Sequence, residues 1–241
     1  DLLPTGLYIV ADGMGGHAGG EQASALAVRL VANWILHEIY QPFLLDTGRS
    51  ANRRPINEVL IEAFVAANGK IHETCPDSGT TLTCAFVLGT NAFIAHVGDS
   101  RAYLVSRNSI RQITKDHSLL QELIDRGFYT PEEARKSMNK NLVTRALGID
   151  PVVMPDIQED IVLKNDIYLL CSDGLTDLVE DEDIYLTIKQ FSANLEEAAK
   201  QLITKANQKG GKDNISVMLC RIDEDFSTHK GWFKKIVAWF D

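Results

Sequence analysis

One stretch near the start constrains this chain more than any other: Ile9-Val10-Ala11-Asp12-Gly13-Met14-Gly15-Gly16-His17-Ala18-Gly19-Gly20-Glu21. The apolar run 7–11 has the length and content of a buried strand. It delivers a carboxylate, Asp12, into a turn holding five glycines in eight residues, and an amphipathic helix pattern starts at once. A turn of that kind puts an acid at a sheet edge where backbone can approach a ligand closely. Two chemistries use such a layout. Gly13-x-Gly15-x-x-Ala18 meets the loose form of the dinucleotide fingerprint. Against it, Asp12 would face a pyrophosphate with like charge. The second strand with a terminal acid, expected about 20 residues on, is replaced by a polar loop, 41–55, and another helix. The alternative is metal binding by Asp12, a glycine carbonyl and acids brought in from elsewhere.

Three further aspartates stand beside strand patterns. Asp99 sits in the tight turn Gly98-Asp99-Ser100-Arg101, Asp173 follows the apolar run 167–172, and Asp213 precedes the run 215–222. A lone turn aspartate is ordinary. Several carboxylates meeting at one sheet edge need a compensating cation, and oxygen-only donors select Mg²⁺ or Mn²⁺ over zinc. No HExxH or CxxC pattern argues otherwise. Cys75, Cys84, Cys171 and Cys220 are predicted to be buried free thiols in a reducing, cytoplasmic setting. With 33 acidic against 24 basic residues the net charge is −9, which excludes nucleic acid as the main partner. No apolar run is long enough to span a bilayer.

The helix and strand patterns surround these acids. Ala23, Leu26, Ala27, Leu30, Val31, Trp34 and Ile35 share a helical face, as do Ile56, Val59, Leu60, Ala63, Phe64, Ala67 and Ile71. The two helices are predicted to pair antiparallel over a sheet. Short runs at 82–88, 92–97, 102–105 and 110–113 read as an antiparallel meander. The β pattern stops over 116–148. That polar stretch holds a short helix (Leu119, Leu120, Leu123, Ile124) closed by Gly127, and a helix start at Thr130-Pro131-Glu132-Glu133. It reads as a solvated insertion or as a flap over a site. Strands resume at 152–161 and 167–172. Helices follow from Glu180 and from Asn194, the latter with Glu197 placed to close a capping box. In the tail, 229–241, Trp232, Ile236, Trp239 and Phe240 share a face, as in a helix that packs on the domain, begins a linker, or touches a membrane surface.

Five motifs stand in order: Val10-Ala11-Asp12-Gly13-Met14-Gly15-Gly16-His17, Ser78-Gly79-Thr80-Thr81, His96-Val97-Gly98-Asp99-Ser100-Arg101, Ser172-Asp173-Gly174-Leu175 and Gly211-Lys212-Asp213-Asn214. Together they resemble the bacterial metal-dependent, type 2C (PPM) Ser/Thr protein phosphatases. The resemblance implies an α+β fold, an αββα sandwich of two antiparallel β-sheets flanked by helix pairs. It implies hydrolysis of phosphoserine and phosphothreonine in proteins by a metal-activated water. Two tight Mn²⁺ or Mg²⁺ ions would be held by Asp12, Gly13, Asp173 and Asp213, and a third, weaker ion by Asp99. His17 lies near the family's general acid. Arg101 is a candidate phosphate clamp, though its place between turn and strand favours a structural ion pair.

The partners implied are phosphorylated proteins and an opposing kinase, with the enzyme a monomer. The family places an Arg and a further acid before its first metal strand. Residues 1–224 are therefore expected to be an N-terminally incomplete catalytic domain lacking its first strand or strands, and 225–241 a tail or linker. The alternative is a catalytically impaired member that serves as a binding or regulatory module.

Overall fold

Side-chain alternation along the strands sets the layering of the computed structural model, which describes residues 5–44, 54–130, 133–134 and 142–224. The strands are β1 (Thr5–Val10), β2 (Gly13–Met14), β3 (Gly79–Thr80), β4 (Leu82–Leu88), β5 (Asn91–Val97), β6 (Arg101–Val105), β7 (Ile110–Gln112), β8 (Asp156–Ile161), β9 (Ile167–Cys171) and β10 (Val217–Arg221). The helices are α1 (His17–Ile35), α2 (Ile56–Thr74), α3 (Leu119–Asp125), α4 (Asp173–Thr176), α5 (Asp181–Gln190) and α6 (Leu195–Gln208). Two antiparallel four-stranded sheets form, in the orders β1-β4-β5-β8 and β10-β9-β6-β7.

Successive residues of a strand point to opposite faces, and here each face has its own core. From β4, Cys84, Phe86 and Leu88 pack against Val31 and Ile35 of α1 and Val59 and Phe64 of α2. Their neighbours Ala85 and Val87 meet Ala102, Tyr168 and Leu170 of the other sheet. From β9, Leu169 and Cys171 turn the other way, onto Ile184 and Ile188 of α5 and Leu202 of α6. Three stacked cores separate four layers, which is the αββα sandwich expected. Each fully buried Phe, Leu or Ile contributes about 1.5–3 kcal/mol. All four cysteines are buried and unpaired.

Some expected boundaries move. Helix α1 runs on through a π-helical segment, Leu36–Tyr40, into Gln41–Leu44, so the expected polar loop begins as helix. The strand expected over 152–161 starts only at Asp156. Pro151 and Pro155 flank its first half and cannot donate to a ladder, and Val152 and Met154 are exposed. At α6, Asn194 accepts from the Glu197 N–H at 3.1 Å. The Glu197 carboxylate goes to Gln201 instead, so only half of the capping box forms. At Thr130 the reciprocal pair does form, with Glu133. The tail, 225–241, lies outside the described residues.

Candidate metal centre

The acids arrive from both sheets. Asp12 follows β1, and Asp99 lies in the turn from β5 of one sheet to β6 of the other. Asp173 begins α4 just past β9, and Asp213 lies in the approach to β10. Each is placed by the local sequence. A Cβ on Gly13 would fall 2.1 Å from the Gly20 carbonyl oxygen, so only glycine lets α1 close against the turn after Asp12. The peptide of Asp12 is gripped from both sides. Its N–H donates to Thr81 Oγ1 at 3.0 Å, and its carbonyl accepts from Thr81 N–H at 2.8 Å and Thr80 Oγ1 at 2.9 Å. Thr81 Oγ1 also lies 2.7 Å from Ser100 Oγ, which ties the Asp12 turn to the Asp99 turn. Ser172 latches the other two loops: its Oγ donates to the Asn214 carbonyl at 2.9 Å and accepts from Ser216 N–H at 3.0 Å.

The electrostatics follow from this crowding. Burial, then the charges of Asp173 and Asp213, raises the Asp12 carboxyl well above the usual carboxylate range. Asp173 is raised by burial and by Asp177 and Asp213. Asp99, 9% exposed, is pushed up to about 7 by burial and by Asp173 and Asp116. The Oδ1 atom of Asp173 is buried with no hydrogen-bond partner. An orphaned carboxylate oxygen among mutually repelling acids is costly unless a cation is there to be ligated. The donor set, carboxylates and a free backbone carbonyl, is that of a hard divalent ion. The residues present therefore fit Mg²⁺ or Mn²⁺.

Asp99 and Asp173 open into a cleft of about 220 Å³ between α4, the start of α5 and helix α3 of the 116–148 insertion, whose Leu120 and Ile124 form part of its wall. Arg101 also lines it. Its guanidinium is chelated by Asp116, with Nε at 2.9 Å and Nη2 at 2.7 Å, and Nη1 donates to Tyr103 OH at 3.0 Å. The structural ion pair, not the phosphate clamp, is what forms. The structure thus places Asp12, Asp99, Asp173 and Asp213 near enough for their charges to act on one another, with Gly13 next in the chain to Asp12. His17 opens α1, and its side chain lies outside the described residues. Sequence reading missed the tasks of Thr80, Thr81 and Ser100. The hydroxyl run before β4 marks the place but not the task.

Comparison with known proteins gives a consistent result. The Protein phosphatase 2C family model matches residues 44–215. The chain is 39% identical over 218 residues to the Serine/threonine phosphatase stp of Listeria monocytogenes, spanning 90% of this chain and 84% of that protein. It is 36% identical over 225 residues to the Protein phosphatase PhpP of Streptococcus pneumoniae, spanning 91% and 87%. The crystal structure of the Mycobacterium tuberculosis serine/threonine phosphatase PstP/Ppp aligns with a TM-score of 0.78 and 35% identity, covering 92% of each chain. A structure of the PstP catalytic domain in complex with two manganese ions aligns at 0.74 and 36%, covering 92% of this chain and 91% of that one.

Proposed function

The chain belongs to the protein phosphatase 2C family, and from that premise we propose how its own residues carry the chemistry. It is a Mn²⁺- or Mg²⁺-dependent protein-serine/threonine phosphatase, acting on phosphorylated proteins. We assign the two tight ions to Asp12, the Gly13 carbonyl, Asp173 and Asp213, and a third, weaker ion to Asp99. The observation that carries the assignment is the unpartnered buried oxygen of Asp173 beside Asp12. When bound, the ions supply an acidified water and positive charge for the phosphoryl oxygens.

The protein's part is to hold the acids in register. Thr80 and Thr81 fix the Asp12 peptide, and Ser172 keeps the Asp173 and Asp213 loops together. Arg101, engaged by Asp116, braces the start of the flap rather than the phosphate. His17 is assigned as the group that protonates the departing Ser or Thr oxygen. His17→Gln should then slow a phosphoserine peptide by about a hundredfold while sparing an aryl phosphate, whose leaving group needs no proton. Equal loss on both substrates would remove that role.

The ion assignment is tested directly. Chelation should abolish turnover and Mn²⁺ or Mg²⁺ restore it. Asp12→Ala, Asp173→Ala and Asp213→Ala should each cost on the order of a thousandfold in kcat/KM, about 4 kcal/mol of transition-state stabilisation. Turnover that survives chelation would overturn the assignment.

The catalytic domain is proposed to extend over 1–224, with 225–241 as tail or linker. The family match over 44–215 and the last strand, ending at Arg221, support this. The enzyme is proposed to work as a cytoplasmic monomer opposed by a Ser/Thr kinase. Its four unpaired thiols support a reducing compartment. Among the described residues no helix is long and apolar enough to cross a membrane.

A further inference from the structure

The root of the flap buries a pair of histidines that the chemistry above does not use. His96 of β5 and His117, just before α3, stack with ring centroids 4.5 Å apart and planes 24° from parallel, and both are buried. Asp156 at the start of β8 brings Oδ2 to 3.2 Å from His117 Nε2. One candidate ligand atom from each of the three lies within 4.8 Å of the others, a composition that would suit a transition metal. The hydrogen bonds turn the cluster to another use. Gly98 N–H donates to His117 Nδ1 at 3.1 Å. That occupies the Nδ1 lone pair, so in the neutral ring the proton sits on Nε2, near Asp156 Oδ2 but not aligned for a hydrogen bond with it, with no second lone pair left for a cation. His96 Nε2 faces the Lys115 carbonyl at 2.8 Å and donates there. Stacked rings also keep their in-plane lone pairs in two nearly parallel planes, which disfavours a shared cation.

What His117 does join is the flap and the Asp99 turn. Its own N–H donates to the Gly98 carbonyl at 2.9 Å, and its carbonyl accepts from Thr144 N–H, at the far end of the flap, at 2.8 Å. Asp156 takes the next residue of that far end, Arg145, at 3.1 Å. Both roots of the flap and the peptides flanking Gly98 therefore meet at one residue, His117, whose ring supplies the Nδ1 bond and whose backbone supplies the rest. The turn has no slack: Gly98 has a φ of +108°, and a Cβ there would lie 2.6 Å from Thr81 Cβ.

We propose that His117 is a positioning residue for the phosphatase reaction, holding the Gly98–Asp99 turn to the flap root through Nδ1 so that the Asp99 carboxylate keeps its place in the cleft it shares with Asp173. The proposal rests on the reading of Asp99 as an ion-holding acid. Asparagine and glutamine dissect the imidazole. Asn carries an acceptor near the place of Nδ1, and Gln carries a polar group near the place of Nε2.

In the metal-free protein, His117→Gln and His117→Ala should speed amide hydrogen exchange over residues 97–100, while His117→Asn leaves it close to the parent. In the loaded enzyme, Gln and Ala should raise the Mn²⁺ concentration for half-maximal phosphopeptide turnover about tenfold, with Asn again near the parent. Calorimetry should find the two tight ions bound in every variant. Asp99→Asn supplies the reference shift in metal requirement. Equal behaviour of the Gln and Asn variants, or unchanged exchange in His117→Gln, overturns the proposal whatever Asp99 does. A normal metal requirement for Asp99→Asn overturns the reading of Asp99 and the coupling with it, and the exchange data then still report separately whether His117 holds the turn.

Discussion

At the scale of single residues, the acids are held by hydroxyls from neighbouring loops. Thr81 accepts from the Asp12 N–H and pairs with Ser100 in a buried setting. Thr81→Val keeps the shape and removes both bonds. It is expected to destabilise the fold by about 1–3 kcal/mol and to raise the Mn²⁺ requirement, as read by urea denaturation and metal titration. A normal metal requirement in a folded Thr81→Val protein would detach this threonine from the site. His117 gives a pH signature. Burial first, then His96, pushes its imidazole down to about 4, whereas an unfolded histidine titrates near 6.5. Between those values the unfolded chain binds the extra proton. The neutral ring's contribution, roughly 3 kcal/mol, is therefore whole above about pH 6.5 and is lost as pH falls toward 4. The stability difference between the parent and His117→Asn, followed by denaturation from pH 7 to 4, should show that slope; a flat difference would exclude it. The acids were legible in the sequence because Asp12-Gly13 and Asp173-Gly174 close apolar runs where a strand must end, and Asp213-Asn214 stands at the entry to another. The hydroxyls that hold them were not, because a threonine beside a strand reads the same whether or not its Oγ grips a distant peptide.

Among the elements, the flap is set apart by how it is fastened. Its start is tied at His117, and its end is clamped to α2 by the buried Asn68. That side chain accepts from Gly148 N–H at 2.7 Å and donates to the Asp150 carbonyl at 2.9 Å. The Leu147 backbone pairs with Thr80. An insertion held at both roots beside the cleft is placed to contact the protein chain around a phosphorylated residue. Replacing 119–142 with a short Gly-Ser linker is expected to lower phosphopeptide turnover by at least tenfold more than aryl phosphate turnover, on the order of 1.4 kcal/mol of discrimination. Equal losses would mean a folding defect, not lost recognition. The helix pairs and the meander could be read from periodicity because each element keeps one apolar face. The late start of β8 could also have been read, from Pro151 and Pro155, had the missing donors been weighed above the apolar content. Fastening by Asn68 leaves no periodic trace, since a single buried amide breaks no pattern.

For the molecule as a whole, the centre lies across the seam of the sandwich. Asp12 hangs from the sheet of β1, Asp173 and Asp213 from the sheet of β9 and β10, and Asp99 from the turn that passes between them. Ions bound there stabilise the folded state by mass action. At a hundredfold excess over Kd, one ion adds about 2.7 kcal/mol, which for a chain of this size raises Tm by roughly 5–10 °C. Calorimetric scans with Mn²⁺ and with chelator should show that gap, and coincident scans would refute it. The placement also has a mechanical side. Away from this end the described residues join the two sheets mainly through an apolar seam that includes Ala85, Val87, Ala102, Tyr168 and Leu170, with the half-exposed Arg111–Asp160 ion pair across it, a contact that yields gradually when one sheet slides over the other. Ion–carboxylate bonds are short-ranged and brittle by comparison. Pulled in an optical trap by handles on α1 and α5, the loaded protein should hold to a higher force and then fail in a single abrupt step, while the chelated protein should give way earlier and in stages.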